Sequence, residues 1–202
     1  RDAVSEIWGD VAAVFGEACT HSKACRKCQN GVETTSEQAI QPSVSVGKQM
    51  NFILENSFGV KFYTDMRLMF KALGISAADY DWYISDIETN FSPAGFSSDN
   101  QWMSGEALLQ LVSENQIQFI WAVFSAVPKG FRAEVLDGPY ADGNRDYWHT
   151  DKVAPQLAGA LFEIACVDSS CTIFIQLPQR ETERLTSTFS DIKRLEDCRV
   201  KN

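Results

Sequence analysis

The densest set of chemically capable side chains lies near the start of the chain. Cys19, His21, Cys25 and Cys28 put three thiols and one imidazole within ten residues, the donor set of a Cys3His zinc site. Structural zinc sites usually draw their ligands from two separated pairs, whereas this run continues a helical pattern. At 100° per residue Cys25 falls within the apolar stripe that holds Ile7 and Phe15, where a thiol packs as a small hydrophobe. Cys25 and Cys28 also form a C-x-x-C, but no βαβ pattern follows it, as a thioredoxin-like redox pair requires. Packing, a disulfide and zinc all remain open readings. The expectation is no stoichiometric metal, and no cofactor.

Two further groups could do chemistry. Asp86 and Glu88 are two apart in a strand-like stretch, which puts both carboxylates on one face, as in the divalent-metal sites of some nucleases. No Lys follows at the spacing such an enzyme needs; the next basic residue is Lys129. Solvent-facing acids on a half-exposed strand is the plainer reading. His149 stands between Asp146 and Asp151, acids that could orient it as a base, yet no G-x-S-x-G or glycine-rich phosphate loop accompanies it.

Charge is the stronger signal. The 202 residues carry 18 Lys and Arg against 27 Asp and Glu, a formal net charge of −9. An acidic chain of this kind is not a general nucleic-acid binder, which needs clustered Lys and Arg to neutralise phosphate. No apolar run approaches the ~20 residues that span a bilayer, so no membrane partner is expected. Between Lys71 and Lys129 there is no basic residue, while Asp79, Asp81, Asp86, Glu88, Asp99, Glu106 and Glu114 fall in the interval. A field of one sign steers an oppositely charged partner; a solubilising surface is the bland alternative.

Six cysteines in 202 residues fall well short of the ~8–10% that marks a disulfide scaffold. A reduced, cytoplasmic chain is therefore expected, with a secreted one as the alternative. The opening residue is Arg1 rather than Met, as in a processed or trimmed end.

The elements that must position these groups follow from periodicity. Val4, Ile7, Trp8, Val11, Val14, Phe15 and Ala18 recur at helical spacing, predicting an amphipathic helix over about 2–29. A polar linker follows, so residues 1–45 form one part and 46–202 an α+β domain. The N-terminal stripe must bury against that domain or against a second copy, which makes homo-oligomerisation through this helix an expectation. Residues 49–55 and 59–63 read as a hairpin turning near Asn56-Ser57. Thr64 is placed to cap a helix carrying Met66, Met69, Phe70 and Leu73, stopped by Gly74. Residues 81–88 alternate as a strand, with Trp82, Ile84 and Asp86 on one face and Tyr83, Ser85 and Ile87 on the other. A loop runs to Gln101, and Ser104 then caps a helix with Leu108, Leu109, Leu111 and Val112.

Residues 117–127 suit a central strand, turning at Pro128-Lys129-Gly130 into 131–136. A long loop spans 137–151, and 161–167 with 171–177 flank Asp168-Ser169-Ser170 as a hairpin. Residues 182–199 place Leu185, Phe189, Ile192 and Leu195 on one helix face. The fold class expected is α+β, with a mainly antiparallel sheet built of β-hairpins and helices inserted and flanking.

Over about 50–197 the chain resembles a group of small bacterial α+β proteins, some of them thought to be immunity partners of polymorphic toxins. The phrases that carry the resemblance are Asp81-Trp82-Tyr83-Ile84-Ser85-Asp86-Ile87-Glu88, Phe119-Ile120-Trp121-Ala122-Val123-Phe124-Ser125, and Phe162-Glu163-Ile164 followed by Asp168-Ser169-Ser170. It is a likeness of segment order and texture that brings no catalytic residues. With the charge pattern, it implies a non-enzymatic protein that docks on a basic toxin or effector. The partner-binding residues expected are Asp79, Asp81, Asp86, Glu88 and Asp99, with Trp82, Tyr83 and Trp102 as aromatic anchors. A divalent-metal hydrolase or nuclease using Asp86 and Glu88 is the alternative, and a secreted disulfide-containing interaction protein the third reading.

Overall fold

A computed structural model describes residues 50–57, 60–149 and 153–198. The expected N-terminal helix, its linker and the Cys19–Cys28 cluster lie outside the described residues.

Among the described residues, seven strands form one antiparallel sheet: β1 (Met50–Glu55), β2 (Asp81–Thr89), β3 (Gln101–Ser104), β4 (Phe119–Val127), β5 (Phe162–Val167), β6 (Cys171–Leu177) and β7 (Lys193–Arg194), in the order β3-β2-β4-β5-β6-β1-β7. The α-helices described with it are α1 (Met66–Leu73), α2 (Gly105–Glu114), α3 (Asp146–His149) and α4 (Gln179–Thr188). The α+β expectation holds. Helices α1, α2 and α4 supply Met66, Met69, Phe70, Leu73, Leu108, Val112 and Leu185 to a core with Phe52, Trp82, Ile84, Phe124, Phe162, Ile164 and Phe174 from the strands. The alternate residues Ile53, Val123, Ala165, Ile173 and Ile175 face the other way, under Ala141, Tyr147 and Leu195. Both faces of the sheet are thus covered. That is why β4, with Val123 to Val127 buried without a break, reads as a continuous apolar run rather than as an alternation.

Local chemistry sets most element ends. The α1 helix is capped by Asp65, not Thr64: its carboxylate accepts from Arg67 N at 3.0 Å. Gly74 ends the helix at φ 65° with its N–H donating to Lys71 O, while Ile75 N reaches back to Phe70 O at 3.1 Å, the closure that a left-handed residue permits. Ser104 caps α2 as expected, accepting from Ala107 N. Asp168 and Ser169, at φ 47° and 54°, make the tight turn between β5 and β6.

Four expectations are corrected. Residues 60–63 form no strand, and β1 pairs instead with β6 and β7. Residues 131–135 lack regular structure, because β4 takes β2 and β5 as partners on its two sides. The C-terminal helix stops at Thr188; Ile192, before β7, packs against the helix-side core, and Leu195 joins the opposite one from a 3-10 helix at Leu195–Cys198. In β2 the two-residue period breaks at Asp86, whose φ of 54° marks a bulge, with a register shift between Ser85 and Glu88. Ile87 consequently packs with Trp82 and Ile84. No helix among the described residues is long and apolar enough to cross a membrane.

Gly105 sits where the first turn of α2 presses on the 3-10 helix at Ala77–Asp79. A Cβ there would lie 2.1 Å from Tyr80 O and 2.3 Å from Ala77 O. Helix propensity alone favours Ala over Gly by about 1 kcal/mol, but two backbone carbonyls cannot swing aside as a side chain would. Gly105→Ala is therefore expected to cost about 1–3 kcal/mol net, seen as a lower urea midpoint at unchanged m-value. An unchanged or higher midpoint would show that this contact is loose.

Candidate functional site

The acidic interval is organised by Asp81, the first residue of β2. Its Oδ2 accepts from Gly130 N at 3.0 Å and from Arg132 Nη1 at 2.8 Å, and its Oδ1 from Gly105 N at 3.4 Å. Lys129 Nζ stands 3.9 Å from Oδ1 and also pairs with Glu106. The Arg132 guanidinium lies over the Trp102 ring at 5.0 Å, and Trp102 contacts Tyr83 at 4.9 Å and Phe131 at 6.2 Å between ring centroids. Burial pushes the Asp81 carboxyl up, but the bonds from Gly130, Arg132 and Gly105, with the Arg132 charge, outweigh it and hold it below its usual value.

This geometry divides the eight residues expected to meet a partner. Trp82 is fully buried, its Nε1 donating to Ala77 O at 2.8 Å and its ring set among Phe70, Tyr80, Phe124 and Phe162. Asp81 and Tyr83 are each 6% exposed. These three are corrected from surface to interior: the coverage of both sheet faces buries β2 from Asp81 to Ser85. Asp79, Glu88 and Asp99 face solvent, and Trp102 is half-buried. Asp79 accepts from Ser76 N in a capping box, and Asp99 accepts from Ser97 Oγ at 2.9 Å.

Asp86 has a structural task. Its Oδ2 accepts from Ala141 N at 2.7 Å and Asp142 N at 2.8 Å, and its own N–H donates to Asn100 Oδ1. The carboxylate expected to share a metal with Glu88 is instead bonded to the loop over the sheet. No group of three or more His, Cys, Asp or Glu side chains among the described residues is placed to hold an ion. His149 ends the four-residue α3, exposed to solvent. Cys166, Cys171 and Cys198 are free thiols. Across the β5–β6 hairpin Cys166 faces Thr172 and Cys171 faces Val167, so the two thiols belong to cores on opposite sides of the sheet.

A second buried carboxylate, Glu163 in β5, was not singled out from sequence. Its Oε1 accepts from Ser125 Oγ at 2.8 Å and Leu157 N at 2.9 Å, and its Oε2 from Gln156 N at 2.8 Å. Burial pushes this carboxyl up, and the three bonds only partly offset it. Gln156 Nε2 donates on to Tyr147 Oη at 2.8 Å and to Tyr140 O at 2.9 Å. Tyr147 is held neutral by burial and by the nearby Glu163 charge. The one acid in Phe162-Glu163-Ile164-Ala165-Cys166-Val167 was the available sign, because an acid within an apolar strand must be bonded internally.

Asp81 and Glu163 bend the pH–stability curve in opposite senses. For Asp81 the folded value lies below the unfolded one, so its contribution is full above about pH 4 and is lost as pH falls through the folded value. For Glu163 the folded value lies above, so stability declines as pH rises from about 4 through the folded value. Asp81→Asn should flatten the acid limb and cost about 1–3 kcal/mol at neutral pH, low for a charged bond because Arg132 stands half in solvent. Glu163→Gln should flatten the opposite slope while lowering the whole curve, since an amide NH2 cannot accept from Gln156 N. Urea unfolding at stepped pH reads both; curves parallel to wild type would remove these assignments.

Comparison of the chain with protein-family models, with curated proteins and with solved structures gives no match in any of the three.

Proposed function

We propose that this chain is a non-enzymatic binding protein of the immunity type, which docks an acidic surface on a basic toxin or effector and obstructs its access to substrate. The observation that carries the reading is the charge balance of the interval between Lys71 and Lys129. Among the described residues, Lys129 and Arg132 form their ion pairs with Asp81 and Glu106. Asp79, Glu88, Asp99 and Glu114 remain solvent-facing, in a stretch that supplies no cation of its own. Such a surface accelerates encounter with a basic protein, while a few desolvated aromatics hold the complex. Trp102, half-buried and already fixed by Tyr83 and Arg132, is the aromatic that serves this purpose. The free thiols at Cys166, Cys171 and Cys198 suit a reducing compartment, and the cytoplasm of a bacterium is the location we assign.

The test is coexpression with basic nuclease toxins, read as restored growth, followed by association kinetics on the pair that is rescued. Joint replacement of Asp79, Glu88 and Asp99 by their amides should slow association roughly tenfold at low salt and flatten its salt dependence, with little change in dissociation. Trp102→Ala should instead speed dissociation. Association unchanged by the triple replacement at low and moderate salt would reduce the acidic surface to a solubilising one.

A further inference from the structure

The two edges of the sheet are built differently. At one end β7 is two residues long and consists of Lys193 and Arg194, paired with Glu55 and Glu196. Charge and brevity of this kind protect an edge from pairing with another chain. At the other end β3, Gln101-Trp102-Met103-Ser104, carries no charge, proline or bulge, is half-buried throughout, and pairs among the described residues only with β2. A row of backbone groups there lacks a strand partner.

Beside this edge lies a groove of about 300 Å³ between the 90–100 loop and α2. Phe96, Met103 and Leu111 are among its apolar lining residues, and Gln110, Glu114 and Asn115 supply polar ones. Every residue that lines it comes from the stretch without Lys or Arg. The lining includes the C-terminus of α2, where the last turn holds Glu114 and no basic residue. Helix carbonyls and carboxylate therefore add at one point, where a cation is favoured.

We infer that β3 and this groove receive an extended segment of the basic partner, added as an eighth strand. The inference rests on the proposed function and specifies how the partner is held. Main-chain bonds to β3 would supply affinity and alternate side chains the specificity. Met103 shares its face with Trp82, so the partner residue opposite it must be apolar and enter the groove. A Lys or Arg further along that face meets Glu114 and the end of α2. Residues on the other face lie against Trp102. The occupant is thus a short extended segment that alternates, with Leu, Ile or Met and a basic residue on one face.

The probe is an end-blocked, fluorescein-labelled Lys-Thr-Leu-Thr-Lys-Thr-Leu peptide, read by anisotropy against the full chain. Saturable binding is expected, weakened at least tenfold by Ala107→Trp, which fills the groove from an exposed position. Glu114→Lys should weaken binding severalfold at low salt. A peptide N-methylated at alternate residues, in either register, should lose at least tenfold in one register only. Far-UV circular dichroism and urea midpoints confirm that the variants fold. Binding indifferent to N-methylation in both registers would overturn strand addition, and no saturable binding would overturn the inference as a whole. Slow exchange of all four β3 amides without peptide would also overturn it, because the edge would then be covered by this chain or a second copy. If the triple acid replacement slows association with a rescued toxin while Ala107→Trp leaves it unchanged, the immunity reading stands and the groove does not. If neither acts, both fall.

Discussion

The Asp81 carboxylate is the constraint on which the acidic half of the molecule depends. One buried side chain ties its own strand, β2, to the first turn of α2 through Gly105 and to the turn after β4 through Gly130 and Arg132. A buried charge is tolerated only when its lone pairs are filled, so the three segments can neither separate nor slide without exposing an unpaired carboxylate. Arg132, fixed by that bond, in turn bears on Trp102 of the edge strand β3. An acid expected to meet a partner is instead an internal tie.

A different solution covers the rest of the sheet. On one side helices bury their stripes in the usual way. On the other, residues 128–149 and 153–161 lie across the strands with α3 as their one described stretch of regular structure. A covering with so little secondary structure leaves many backbone groups to be satisfied, and polar side chains of the strands supply the partners. Ser85 donates to Pro139 O at 2.7 Å, Asp86 accepts from Ala141 and Asp142, and Glu163 accepts from Gln156 and Leu157. These side chains sit on a sheet face where an apolar residue would pack more simply. What they add is register: each bond fixes where one loop residue rests.

Much of this was legible in the sequence where the deciding forces are local. The Gly74 stop of α1, the Ser104 cap of α2, the central strand β4 and the β5–β6 hairpin all follow from residues within a few positions of one another. The partner of β1 did not, because strand pairing is settled by which apolar edge is left open when the sheet closes. Nor did the burial of Asp81, which depends on Arg132, or the bulge at Asp86, which exists because the 141–142 amides need a carboxylate. Residues 131–135 resemble a second hairpin strand until β5 is seen to occupy that side of β4. Of the expected partner surface, Asp79, Glu88, Asp99 and Trp102 keep their exposure; Asp81, Trp82 and Tyr83 lose it to contacts made by distant segments.

The position of β1 has a consequence for how the chain is made. Phe52 lies between Phe174 of β6 and Arg194 of β7, so β1 must wait for strands made more than 100 residues later. Until then the apolar run Phe52-Ile53-Leu54, buried in the finished sheet, leaves the ribosome without its neighbours. Pairings of such long sequence separation close slowly, and exposed strand segments invite association with other nascent chains. Folding during synthesis can complete the β2–β3 hairpin and its pairing with β4, but β1 finds its place only once β6 and β7 have emerged. Yield in the cell therefore depends on what shelters this strand until its partners are made.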